Sequence, residues 1–331
     1  MLDISNSKPS SDAVAKFKGR NIINIEDLSY DDLMTILQTA TFYHRAVEDD
    51  RPLNDMEGKI MMSMFFEPST RTRCSFESAM YRLGGRIITI AESSNQQNSS
   101  AAKGETLHDS IMTVNYYGHV IVCRTPEKNG RHQIAGAVTL PYINAGDGDG
   151  EHPTQALLDI YTVYKRMGTL DGLTYAICGD LKYGRAAHSL LTALSKFSPK
   201  KVILASPSEL CIPKKYVSGA TNAGIEIEEC TELEYAIQNA DVVYMTRVQR
   251  ERFPEGEEGE EAYARNRDIF IIDERHISMF RERAILLHPL PRVNEVAKIV
   301  DDWKGAAYFE QVGNGVPIRM ALLALLTGCV R

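Results

Sequence analysis

Lys59-Ile60-Met61-Met62-Ser63-Met64-Phe65-Phe66-Glu67-Pro68-Ser69-Thr70-Arg71-Thr72-Arg73-Cys74-Ser75-Phe76-Glu77 joins an apolar run of strand length to the start of a helix through a turn crowded with hydroxyls and guanidinium groups. Downstream, Phe76, Met80 and Leu83 recur at helical spacing before Gly84-Gly85 ends the pattern. Residues 69–73 therefore fall at a helix N-terminus. Unsatisfied backbone N–H groups and the positive end of the helix dipole favour an anion there, and hydroxyl and guanidinium donors can complete its coordination. Two arginines in a first turn oppose that dipole unless an anion answers them, so a simple N-cap at Ser69 or Thr70 does not account for the turn. The strand-turn-helix unit predicts an α/β fold with an oxyanion site at its first crossover.

Working outward, strand-like runs at residues 59–66, 86–91 and 119–123 alternate with helical patterns, including residues 106–117. A second alternating series has strands at 173–178, 201–205, 242–246, 269–272 and 284–287, with helices at 186–197 and 231–239. Two doubly wound parallel sheets fit these two series. The glycine-rich residues 144–150 separate the halves, and a helix over 154–166 crosses between them. The expected division is residues 1–151 with 315–331 in one domain and 152–314 in the other. The apolar end of the chain reads as a buried helix with Pro317 near its start and Gly328 near its stop. Residues 254–261, with five glutamates, read as a solvated mobile loop.

A chain of 331 residues has room for two domains of ordinary size. With 44% hydrophobic and 24% charged residues it is globular, and no apolar run reaches the length of a membrane span. The polar residues 1–12 hold no apolar secretory core, so the cytoplasm is the expected location. Six scattered cysteines without a C-x-x-C pair read as reduced, buried thiols. A net charge of −7 argues against a nucleic-acid surface or a polybasic membrane patch. An anionic substrate must then be held by a local cluster of cations.

Several near-matches fail on chemistry. Gly179-Asp180-Leu181-Lys182-Tyr183-Gly184-Arg185-Ala186 has the glycine spacing of a P-loop, but Arg185 and Ala186 replace the required Lys and Ser/Thr. The turn still offers N–H groups and Arg185 to a carboxylate. A calcium loop counted from Asp147 would put His152 at the obligatory glycine and Leu158 at the bidentate glutamate, which excludes an EF-hand. No H-E-x-x-H or Cys/His spacing supports a catalytic zinc.

Seven motifs occur in the order seen in the aspartate/ornithine carbamoyltransferase superfamily, and in detail resemble its aspartate carbamoyltransferases. They are Ser69-Thr70-Arg71-Thr72, Ser99-Ser100-Ala101-Ala102-Lys103-Gly104-Glu105-Thr106, Arg124, His152-Pro153-Thr154-Gln155, residues 179–185, Met245-Thr246-Arg247-Val248-Gln249 and His288-Pro289-Leu290-Pro291-Arg292. The resemblance runs nearly end to end and implies two α/β domains, with the C-terminal helix packing back on the first.

It also implies transfer of the carbamoyl group of carbamoyl phosphate to the amine of L-aspartate, the second step of de novo pyrimidine biosynthesis, with no cofactor and no metal. Ser69, Thr70, Arg71 and Thr72 would hold the phosphate. Arg124, His152 and Thr72 would hydrogen-bond the carbonyl oxygen, and Gln155 with the backbone carbonyls of Leu290 and Pro291 would fix the carbamoyl NH2. Arg185 and Arg247 would grip the carboxylates of aspartate, with Gln249 at the periphery. Ser99 and Lys103 would reach the site of a neighbouring subunit in a homotrimer, and Lys103 would touch both phosphate and carboxylate. The related ornithine carbamoyltransferases must bind a cationic side chain, against which Arg247 argues, and they carry a cysteine where this chain has Pro289. A catalytically dead scaffold is disfavoured because every transferred side chain is intact.

Overall fold

The computed structural model describes residues 8–91, 104–126, 134, 136–148 and 150–330, so Ser99 and Lys103 lie outside the described residues. Among these, strands β1 (Ile60–Phe65), β2 (Arg86–Ile90), β3 (Val120–Thr125) and β4 (Tyr142–Asp147) form a parallel sheet in the order β2-β1-β3-β4. β1, β3 and β4 are buried almost throughout, which explains why β1 reads as a continuous apolar run. The edge strand β2 is largely exposed.

Helix Thr70–Arg82 returns across this sheet with Phe76, Ala79 and Met80 buried. It stops where Gly84 takes φ +78°, a left-handed conformation that costs glycine little, and where a Cβ on Gly85 would lie 2.2 Å from Met80.

β4 was not expected from sequence. The glycine-rich stretch begins as a buried strand because its polar groups are satisfied at a distance. Asn144 Nδ2 donates to the Ile23 carbonyl at 3.0 Å, and Asn144 Oδ1 accepts from Gly146 N at 2.8 Å beside a register shift against β3.

The second sheet contains β5 (Thr174–Cys178), β6 (Lys201–Ala205), β7 (Ile227–Cys230), β8 (Val242–Met245) and β9 (Ile285–Leu287), all parallel, in the order β7-β6-β5-β8-β9. β7 is an edge strand whose glutamates hid it; Glu228 is paired with Lys201 of β6 at 2.9 Å. The strand expected at 269–272 has no place in the sheet. Ile272 makes only an isolated bridge to Val296, and Ile269 is exposed.

Two further expectations are corrected. The acidic stretch is not a loop: Glu257–Asn266 is a helix with Glu257, Glu258 and Glu260 in its first turn, where carboxylates complement the dipole. It is anchored by Asn266, which donates to Glu209 at 2.9 Å, and by Phe253, whose ring lies 5.6 Å from Tyr183 and 5.9 Å from Tyr263. The C-terminal helix runs over Tyr308–Thr327, so Pro317 sits inside it rather than at its start. Its apolar second half is buried, and Gly328 at φ +70° closes it.

The chain divides into two compact units, residues 1–157 with 314–331 and residues 158–313. Both passages between units occur inside helices, Pro153–Met167 and Tyr308–Thr327. The end of the C-terminal helix packs in the first unit, where Gly19 N donates to Leu326 O at 2.8 Å and Arg319 Nη1 donates to Ser75 Oγ at 3.1 Å. Among the described residues no helix is long and apolar enough to cross a membrane.

Candidate active-site residues at the carboxyl ends of the strands

Each sheet reverses its winding once, and loops on either side of such a reversal part to leave a crevice at the carboxyl ends of the strands. In the first unit the reversal lies between β1 and β3. The β1 loop delivers Ser69 to Thr72, β3 ends on Arg124, and the turn after β4 delivers His152. The register pairs Phe65 with Arg124, and Phe66 N donates to Arg124 O at 2.9 Å, so the loop starts beside the arginine.

Ser69 is the N-cap residue of helix Thr70–Arg82, yet its side chain makes no capping hydrogen bond, and the first turn holds no acid. Thr72 is buried, whereas Thr70 and Arg71 are exposed. Arg73 leans toward Glu77, with Nε 4.0 Å from Oε1. One of the two first-turn arginines thus has a carboxylate within its own helix, at the i,i+4 spacing.

Arg124 is 8% exposed, its Nε 3.1 Å from Glu67 Oε2 and its Nη1 donating to Ala145 O at 3.4 Å. A buried guanidinium held on two sides keeps a set direction. The carbonyl of His152 accepts from Gln155 N at 2.9 Å and Ala156 N at 3.3 Å, so this buried histidine opens helix Pro153–Met167 and places Gln155 in its first turn.

Glu151, next to His152, accepts from Ile25 N at 2.9 Å. Burial pushes its carboxyl up to about 7, with Asp147, Glu26 and Asp27 adding to the rise. The protonated form is therefore favoured by folding. Its contribution is complete below the ordinary carboxylate range and is lost as pH rises through about 7. Glu151→Gln should flatten the fall in Tm between pH 5 and pH 8, a span worth on the order of 3 kcal/mol. Parallel Tm–pH curves for the two proteins in scanning calorimetry would refute this.

In the second unit the reversal lies between β5 and β8. The β5 loop ends on Arg185, the first residue of helix Arg185–Leu194, and the segment after β8 carries Arg247 and Gln249. Fully buried Asp180 ties the two together, accepting from Tyr183 N at 3.0 Å and from Gln249 N at 3.3 Å. Burial pushes its carboxyl up, opposed by these N–H groups and by Lys182. The approach is close: a Cβ on Gly179, at φ +105°, would lie 2.4 Å from Thr246 O. Gln249 Nε2 also reaches Tyr183 O at 3.4 Å. Arg247 is gripped through both terminal nitrogens by Glu251, four residues on.

The loop after β9 carries Leu290 and Pro291. Leu290 N donates to His288 Nδ1 at 2.8 Å. An amide can only donate, so Nδ1 is the acceptor and the ring proton sits on Nε2, 2.7 Å from Glu295 Oε1. Burial holds the His288 ring below the ordinary histidine range, despite the carboxylate. Burial works to raise Glu295, but the ring N–H and backbone donors outweigh it and keep the carboxylate charged. Leu290 has φ +53°, a conformation that costs a branched L-residue about 1–3 kcal/mol and persists only where its surroundings hold it.

The side chains that sequence reasoning passed over are the carboxylates behind these groups: Glu67, Asp180, Glu251 and Glu295. Glu251 stands four residues from Arg247, a spacing that signals a pair only on a helix, which this segment is not, so all four became visible only through contacts. Among the described residues no group of three His, Cys, Asp or Glu is placed to hold a metal ion.

Residues 20–165 match the family model described as "aspartate/ornithine carbamoyltransferase, carbamoyl-P binding domain", and residues 171–326 match its "Asp/Orn binding domain". The chain is 45% identical to the aspartate carbamoyltransferase catalytic subunit of Thermococcus kodakarensis, covering 94% of this chain and 98% of that protein. It is 44% identical to the corresponding subunit of Picrophilus torridus, covering 94% and 99%. Its fold is similar to the crystal structure of aspartate transcarbamoylase from Trypanosoma cruzi in complex with carbamoyl aspartate and phosphate. The TM-score is 0.88 at 36% identity, with 98% of this chain and 99% of that chain covered. The same enzyme complexed with N-(phosphonacetyl)-L-aspartic acid aligns with a TM-score of 0.85.

Proposed function

This chain belongs to the aspartate/ornithine carbamoyltransferase family, and on that premise we propose that it transfers the carbamoyl group of carbamoyl phosphate to the amine of L-aspartate. The products are N-carbamoyl-L-aspartate and phosphate, and the reaction is the second step of de novo pyrimidine biosynthesis. One observation carries the choice of acceptor: the second sheet presents Arg185 and Arg247 on the two loops flanking its reversal, tied together through Asp180. Two guanidinium groups suit the two carboxylates of aspartate and would repel the side-chain cation of ornithine.

In this reading Ser69, Thr70, Arg71 and Thr72 bind the phosphate at the helix N-terminus. Arg124, His152 and Thr72 donate to the carbonyl oxygen, while Gln155 and the carbonyls of Leu290 and Pro291 receive the NH2. The aspartate nitrogen attacks the carbonyl carbon directly. Negative charge gathers on the oxygen in the tetrahedral intermediate, where the donors act most strongly. The bond to the phosphate oxygen then breaks, and the departing phosphate takes the proton from the attacking nitrogen. Positioning and electrostatics suffice for this route without a covalent enzyme intermediate or a cofactor. Purified protein supplied with carbamoyl phosphate should form a ureido product with aspartate and none with ornithine; the reverse preference would overturn the assignment.

We further read the protein as a cytoplasmic homotrimer in which Ser99 and Lys103 complete a neighbour's site. With Arg71, Arg124, Arg185 and Arg247, Lys103 makes five cations in an otherwise acidic chain. Arg71→Ala and Lys103→Ala proteins should each be nearly inactive. Unfolding them together and refolding should restore part of the activity, because hybrids contain some intact sites. Confirmed subunit exchange without recovery would exclude sharing.

A further inference from the structure

We propose that His288 and Glu295 are a positioning pair that makes the protein select a carbamoyl over an acetyl phosphate, by holding the Leu290 and Pro291 carbonyls toward the substrate NH2. This rests on the carbamoyl-transfer reading above and adds the source of its selectivity. A carbamoyl NH2 has two donors to satisfy and a methyl group has none. Acceptors at that point therefore reward one acyl phosphate and are left unpaired, and covered by a methyl group, with the other.

Nothing regular holds the segment from His288 to Glu295: it follows β9 and precedes an isolated bridge at Val296. Pro289 and Pro291 have no N–H, so Leu290 owns the sole amide donor among these three residues, and His288 Nδ1 takes it at 2.8 Å. On the far side Glu295 Oε2 accepts from both Val293 N and Asn294 N at 3.1 Å. The His288–Glu295 bond joins the two anchors, with both side chains buried.

The pair is itself moored. His288 N donates to Gln311 Oε1 at 2.9 Å, Gln311 Nε2 donates to Asp159 at 2.6 Å, and Tyr244 Oη donates to the same carboxylate at 2.8 Å. Each donor in this buried chain meets an acceptor, so the order of protons is set. Leu290, at φ +53°, is thereby held in a conformation it would leave if released.

The test uses one isosteric change and one that shortens the side chain. Glu295→Gln forces an amide NH2 against either the His288 ring N–H or the two backbone N–H groups. His288→Asn keeps an acceptor near Leu290 N and loses the link to Glu295. Inhibition and saturation kinetics would give affinities for carbamoyl phosphate, acetyl phosphate and inorganic phosphate. Glu295→Gln should weaken carbamoyl phosphate by about tenfold while leaving the other two within about threefold, and His288→Asn should fall between it and the native protein. An unchanged carbamoyl-to-acetyl ratio in either folded variant overturns the pair's role, even if kcat drops. Native protein that transfers no carbamoyl group to aspartate would instead overturn the functional reading on which the pair depends.

Discussion

Arg124→Ala should lower kcat for carbamoyl transfer to aspartate by about 10²–10³-fold, the usual cost of removing one donor from an oxyanion site. The size follows from its setting. The guanidinium is 8% exposed and fixed by Glu67 at 3.1 Å and by the Ala145 carbonyl, so little reorganisation accompanies the build-up of charge on the carbonyl oxygen. Arg124→Lys should recover little, because a single ammonium cannot meet Glu67, Ala145 and substrate with the same fork. Loss of the arginine also leaves Glu67 without this cation, so circular dichroism and Tm must accompany the kinetics. Steady-state rates with both substrates saturating check the prediction; a loss under tenfold in folded protein would remove Arg124 from the oxyanion role.

Arg247→Ala should reduce kcat/KM for aspartate by about 10²–10⁴-fold through the loss of two charge-assisted hydrogen bonds to one carboxylate. Inhibition by succinate, a dicarboxylate without the reacting amine, should weaken in parallel, whereas affinity for carbamoyl phosphate should stay within a few fold. That split separates recognition of the second substrate from a general collapse of the site. Glu251 holds both terminal nitrogens of Arg247, so the aspartate carboxylate takes the Nε edge of the guanidinium or displaces Glu251 from its fork. Undiminished succinate inhibition in the variant would contradict the assignment.

Much of the fold was legible because parallel strands buried on both faces must be apolar for their whole length. β1, β3, β5 and β8 announce themselves that way, and the spacing of Phe76, Met80 and Leu83 marks the helix after β1. Failures came where burial was partial or polar groups were satisfied from afar. β7 is an edge strand carrying two glutamates, and β4 includes an asparagine whose side-chain partner Ile23 lies far off in the chain. The glutamates of residues 254–261 were read as solvated charge, yet the same charges suit a helix N-terminus once Asn266 and Phe253 anchor that helix. Pro317 misled in the opposite direction, because buried packing carries the helix through it.

The sequence by itself determined the class of fold and the chemical kind of each reactive group. Hydrophobic periodicity and the placement of hydroxyls and arginines are local properties that no later contact can alter. The tertiary structure alone decided which carboxylates stand behind those groups. Glu67 meets Arg124 because β1 and β3 run in register, Asp180 meets Gln249 because β5 lies beside β8, and Glu295 reaches His288 because a proline-bound loop turns back on itself. Such pairings depend on strand order and loop closure, which are set by the packing of the whole chain. The turn at residues 69–73 shows both sides: its anion chemistry is written in consecutive residues, and its neighbours Arg124 and His152 arrive only when three parallel strands end side by side.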